Sequence, residues 1–162
     1  GQSAFGLSQN LGISRKEASD IINEYFNQYT GIKKYMSDAV ESAKEKGYVE
    51  TILKRRRYLR DINSANMTVR GFAERNAINA PIQGSAADLI KLAMIAIQKE
   101  IEQRGLTGKM IMQVHDELVF DVPKDEIEVF KKIILDKMSN AIKTSVPLIV
   151  EIGEGKNWLE AH

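Results

Sequence analysis

Apolar positions recur every three to four residues along most of the chain, and that period predicts its helices. Ser14 and Glu17 frame a capping box, after which Ala18, Ile21, Ile22, Tyr25, Phe26 and Tyr29 return at helical spacing. The spacing predicts a helix over 14–28 with these side chains in the core. A second helix is expected after Gly31, with Ile32, Tyr35, Met36, Ala39, Val40 and Ala43 on one face and Gly47 as its stop. Residues 48–53 read as a short strand. The pattern over 67–79 is helical again, and Pro81 is expected to break or kink it by removing a backbone donor and restricting Ala80. A longer helix follows over about 84–104, with Ala86, Leu89, Ile90, Ala93, Met94, Ile97 and Ile101 inward. Pro123 to Glu126 opens a last helix, whose apolar face is Ile127, Phe130, Ile134 and Ala141.

Between these helices lie runs short enough to be strands. Met110–Val114 and Leu118–Val122 flank the polar step His115-Asp116-Glu117, which predicts a β-hairpin with an imidazole and two carboxylates at its tip. A further strand is expected at 148–152, before Gly153 and Gly155. The fold class that follows is α+β, mostly helical, with a small antiparallel sheet made of the hairpin and the C-terminal strand. No repeat, linker or low-complexity stretch divides the 162 residues.

Composition narrows the picture only a little. Hydrophobic residues at 43% and charged residues at 28% are ordinary for a globular domain. The lack of cysteine excludes disulfides and thiolate metal sites. No apolar run reads as a membrane span, and the N-terminus lacks the pattern of a signal peptide. A first residue other than methionine reads as a mature or trimmed chain, or as part of a larger one. The net charge of +1 says nothing of nucleic acid, but its distribution does. Lys54, Arg55, Arg56, Arg57 and Arg60 fall within seven residues, a density able to contact phosphates, though a solvated loop would look the same.

Two constellations carry candidate chemistry. The charged hairpin tip suits a divalent metal, and a solvated turn would also be polar. Arg75, Asn79 and Gln83 stand four residues apart, and on a continuous helix they would share one face. Long hydrogen-bonding side chains in a row fit a duplex minor groove, where every correct pair offers acceptors at similar positions. Taken alone, they are better accounted for as surface and capping residues, with Asn79 ending one helix and Gln83 starting the next.

Taken together, Thr51 to Arg57, Arg70 to Asp88, Gln113 to Pro123 and Val150 to Trp158 resemble family A DNA polymerases. The likeness covers essentially the whole chain, from Gly1-Gln2-Ser3-Ala4-Phe5-Gly6-Leu7 to His162. It implies a C-terminal fingers and palm part of a bacterial polymerase, with residues 1–47 as fingers helices. Residues 48–162 would be the fingers–palm junction and the palm, with the catalytic hairpin at 109–123. The resemblance implies Asp116 as a metal ligand, Asp116 and Glu117 as catalytic carboxylates, and His115 against the primer end. Arg75, Asn79 and Gln83 would follow the minor groove of the new duplex. The implied cofactor is Mg²⁺, as a pair of ions about 4 Å apart, and the implied partners are primer–template DNA and a dNTP. The setting implied is the bacterial cytoplasm, at the nucleoid and away from membranes, in replication and repair.

Departures from the family pattern matter too. Lys54 and Arg60 replace Gly and Pro found in many members, and Ser85 replaces a commoner Thr. The family's second metal-binding aspartate and its nucleotide-binding helix belong upstream of Gly1. These residues alone are therefore expected to be inactive, and to self-associate through apolar faces. Other readings are a non-catalytic nucleic-acid-binding module and a single-subunit RNA polymerase. A metal nuclease has less to rest on, with only His115 and His162 and no second acidic motif.

Overall fold

The computed structural model describes residues 3–161, which form six helices and four strands. In order these are α1 (Ala4–Leu11), α2 (Arg15–Gln28), α3 (Thr30–Lys46), β1 (Tyr48–Glu50), β2 (Arg56–Tyr58), α4 (Met67–Arg104), β3 (Lys109–Val114), β4 (Glu117–Asp121), α5 (Ile127–Ser139) and α6 (Trp158–Ala161). The mostly helical α+β class is as expected. The sheets are two antiparallel pairs, β1 with β2 and β3 with β4. Contacts divide the chain into two compact units, Gly1–Gln83 and Gly84–His162.

In the first unit, the capping box forms as the sequence implies. The Ser14 hydroxyl accepts from the Glu17 amide, and the Glu17 carboxylate accepts from the Ser14 amide. Gly47 ends α3 in the left-handed region. The core consists of Ala43, Val49, Leu59, Ile62, Ala73, Ala77 and Ala80, with Val40 packed against it. This corrects the expected core of α2, which buries only Ala18 and leaves Ile21, Tyr25 and Tyr29 exposed. The helical period was sound, but Ile22 and Phe26 are only partly buried and the rest of the stripe beyond Ala18 stays open. A 2.7 Å ion pair from Lys44 to Glu74 and a hydrogen bond from the Tyr35 hydroxyl to the Ile78 carbonyl join α3 to α4.

Pro81 does not break α4, which runs uninterrupted for 38 residues. The physical reason is a comparison of costs. A proline inside a helix forfeits one backbone bond, whereas two new helix ends would strand about four carbonyls and four amides and require a second nucleation. An 18-residue window of α4 also reaches a mean hydropathy of 1.3, enough by length and composition to cross a membrane. That corrects the expectation that no run comes close. The apolar residues of α4 have another use, since Ala73, Ala77, Ile97 and Ile101 are core residues of their units.

In the second unit, Ile97 and Ile101 of α4 meet Phe130, Ile133 and Ile134 of α5. The hairpin contributes Met110, Leu118 and Phe120 to the same cluster. The expected strand at 148–152 is absent. The segment keeps a partly alternating burial, and Ile149 is 87% exposed. A strand needs a partner's backbone as well as a period, and no described segment pairs with it.

Candidate active site

The β3–β4 ladder places the acidic tip. Val114 pairs with Glu117, which leaves His115 and Asp116 as a two-residue loop. Only the first of the two has positive φ, His115 at 51°, the sign pattern of a type II′ turn. Histidine tolerates that region better than most non-glycine residues. The Gln113 side-chain amide donates to the His115 carbonyl and braces the loop. A register shift between Met110 and Met112 was not foreseen. His115 and Asp116 are exposed, and Glu117 is half-buried.

The base of the hairpin is pinned by a carboxylate. Glu126 accepts from the Thr107 amide at 2.9 Å, the Thr107 hydroxyl at 2.9 Å and the Gly108 amide at 2.9 Å. The two backbone donors hold its carboxyl below the usual range. Beneath, the Phe120 and Phe130 rings meet edge to face at 6.1 Å. The tip thus stands on a paired ladder anchored in a core, with the Asp116 carboxylate open to solvent.

Asp116 and Glu117 are hard oxygen donors of the kind Mg²⁺ accepts, since that ion commonly takes one or two carboxylates and completes its shell with water and substrate phosphates. Among the described residues, no group of three or more His, Cys, Asp or Glu side chains is arranged to hold a metal. The pair is suited to half of such a site.

Arg75, Asn79 and Gln83 are all exposed, and the continuity of α4 sets them on one face at about 6 Å of rise per step. Ala73, Ala77 and Ala80 bury the other side of the same helix. The Arg75 guanidinium lies 5.9 Å from the Phe72 ring centroid. These three belong to the first unit, and His115, Asp116 and Glu117 to the second.

The basic cluster lies on the β1–β2 hairpin and just beyond it. Arg56 is committed within the fold, 3.0 Å from Glu50 and stacked over Tyr48 at 4.5 Å. Its hydrogen bond to Glu50 raises its pKa further. Arg55, Arg57 and Arg60 are exposed. One neighbour of the acidic tip escaped the sequence reading: the Trp158 indole N–H donates to Glu117 Oε2 at 3.4 Å. The two residues are 41 apart, so no local pattern could have joined them.

The acidic hairpin and the exposed cationic and amide side chains belong to a mostly helical α+β protein. Residues 1–160 match DNA polymerase family A, and the chain belongs to that family. It is 56% identical over 161 residues to DNA polymerase I of Streptococcus pneumoniae, covering 99% of this chain and 18% of that protein. It is 48% identical over 161 residues to DNA polymerase I of Bacillus subtilis, with the same coverage of 99% and 18%. Among solved structures it resembles the POL domain of Pol1 from M. smegmatis in complex with DNA primer-template and dNTP. That match has a TM-score of 0.96 and 45% identity, covering 99% of this chain and 28% of the other. The chain thus spans about a fifth of the length of the curated relatives it matches.

Proposed function

We propose that these residues serve a DNA-directed DNA polymerase, as part of its fingers and palm, in template-directed nucleotidyl transfer. The observation that carries this reading is the carboxylate-tipped hairpin, rigidly founded and open at Asp116, in a chain of this family. Residues 1–47 act as fingers helices, and 48–162 as the junction and palm around the hairpin at 109–123. Asp116 would hold Mg²⁺, with Glu117 as a supporting carboxylate at the next position. Bound there, the ion would supply Lewis-acid activation of the primer 3′-hydroxyl and charge stabilisation at the attacked phosphate. His115 contacts the primer end. Arg75, Asn79 and Gln83 donate to minor-groove acceptors that every correct base pair presents alike, so they test pair geometry without reading sequence. The exposed arginines near the β1–β2 hairpin neutralise phosphates of the primer–template. The site of action is the bacterial cytoplasm, at the nucleoid.

The 162 residues alone are inactive in this reading, because Asp116 and Glu117 need a further aspartate that the described residues do not bring to them. The same observation supports the rival reading, a nucleic-acid-binding module without catalysis. The two separate in one assay. The protein at its natural full length is given a primer–template, Mg²⁺ and one dNTP at a time. Incorporation of only the template-matched nucleotide is expected, whereas binding without extension would favour the module.

A further inference from the structure

The C-terminal segment is folded back on itself in a way that only its two glycines allow. A Cβ on Gly153 would collide with the Ala161 carbonyl. One on Gly155 would come within 2.5 Å of Glu160 Cβ and 2.8 Å of the Ala161 amide. The clasp is closed by polar contacts. The Glu160 carboxylate accepts from the Lys156 amide at 2.9 Å and the Asn157 side chain at 3.0 Å, and Asn157 Oδ1 accepts from the Glu160 amide at 3.1 Å. Glu154 ties the clasp to α5 through a 2.9 Å ion pair with Lys131. The side chain that leaves this clasp toward the acidic tip is Trp158, whose indole N–H reaches Glu117.

We infer that Trp158 is a positioning residue, held by the Gly153–Ala161 clasp, that orients the Glu117 carboxylate beside Asp116. The inference rests on the polymerase reading of that carboxylate pair. Its physical basis is that a half-buried carboxylate on a strand has rotamers to choose among, and one N–H donor on a bulky ring selects among them. An indole N–H can only donate, which suits a carboxylate oxygen as its partner.

Trp158 is the sole tryptophan of these 162 residues, so its indole N–H gives a single resonance in a ¹H–¹⁵N spectrum. Glu117→Gln in this chain is expected to shift that resonance while the remaining amides stay dispersed. An unmoved resonance overturns the contact. Primer extension is then run with Trp158→Phe in the protein at its natural full length, which keeps a ring and removes the donor. Circular dichroism confirms folding. A fall in kcat of about tenfold is expected, with primer–template affinity and the KM for dNTP unchanged. Extension at the unaltered rate, with the resonance shift present, overturns the positioning role. Should the unaltered protein itself not extend primers, the polymerase reading falls and the positioning role with it, and the resonance still decides the contact.

Discussion

Gly108 illustrates how a single position underwrites the site. A Cβ there would lie 2.6 Å from Phe130 Cζ and 3.3 Å from the Asp121 carbonyl, and Phe130 is among the largest fully buried side chains. Neither ring nor strand can withdraw without opening the core under the hairpin. Gly108→Ala is expected to cost about 1–3 kcal/mol, read as a lowered midpoint in urea unfolding. An unchanged midpoint would mean that the ring moves freely. At Arg75, the prediction concerns binding. Arg75→Ala is expected to weaken primer–template binding by a similar factor on unrelated sequences, because minor-groove acceptors are nearly alike in all pairs. Gel shifts on two primer–templates of different sequence check this, and a loss confined to one of them would speak against minor-groove tracking.

At the scale of elements, Glu126 joins the 105–108 loop to the start of α5. Its carboxyl is held low chiefly by the Thr107 and Gly108 amides, so its contribution to stability is fully present above the usual value of 4.5 and is lost as pH falls through its lower folded value. Glu126→Gln is therefore expected to unfold at lower urea concentration at neutral pH, with the gap to the natural protein closing below about pH 4.5. A gap that persisted at low pH would assign the effect to something other than the charge. The elements most legible in the sequence were those with local causes: the Ser14–Glu17 box, the stop at Gly47 and the two runs around His115. Harder to read were features set by partners. Pro81 reads locally as a breaker, but the cost of two new helix ends outweighs its one missing bond. Residues 148–152 have the composition of a strand without a partner to pair with. The apolar stripe of α2 predicted a helix correctly and a buried aromatic face wrongly, because a period shows which side is apolar and not what covers it. Likewise the residues at the acidic tip could be named from sequence, whereas Trp158 beside Glu117 depends on a chain reversal far from either.

For the molecule as a whole, the exposed apolar surface is the most consequential feature. Tyr25, Tyr29, Ile149 and Leu159 all stand open, the last at 88% exposure. Apolar side chains grouped on one open face, as Tyr25 and Tyr29 are on α2 with ring centroids 4.9 Å apart, favour association. These 162 residues alone are expected to rise in apparent mass with concentration in light scattering, and a constant monomer mass at high concentration would contradict this. Family membership rests on nearly the whole chain, and the proposed chemistry rests on one carboxylate. The most direct measurement is therefore single-turnover primer extension with Mg²⁺, comparing Asp116→Ala with the natural sequence at natural full length. The rate is expected to fall by about a thousandfold or more, corresponding to several kcal/mol of lost transition-state stabilisation, while primer–template affinity stays within about twofold. Extension by Asp116→Ala at the natural rate would show that the hairpin carboxylate does not hold the metal.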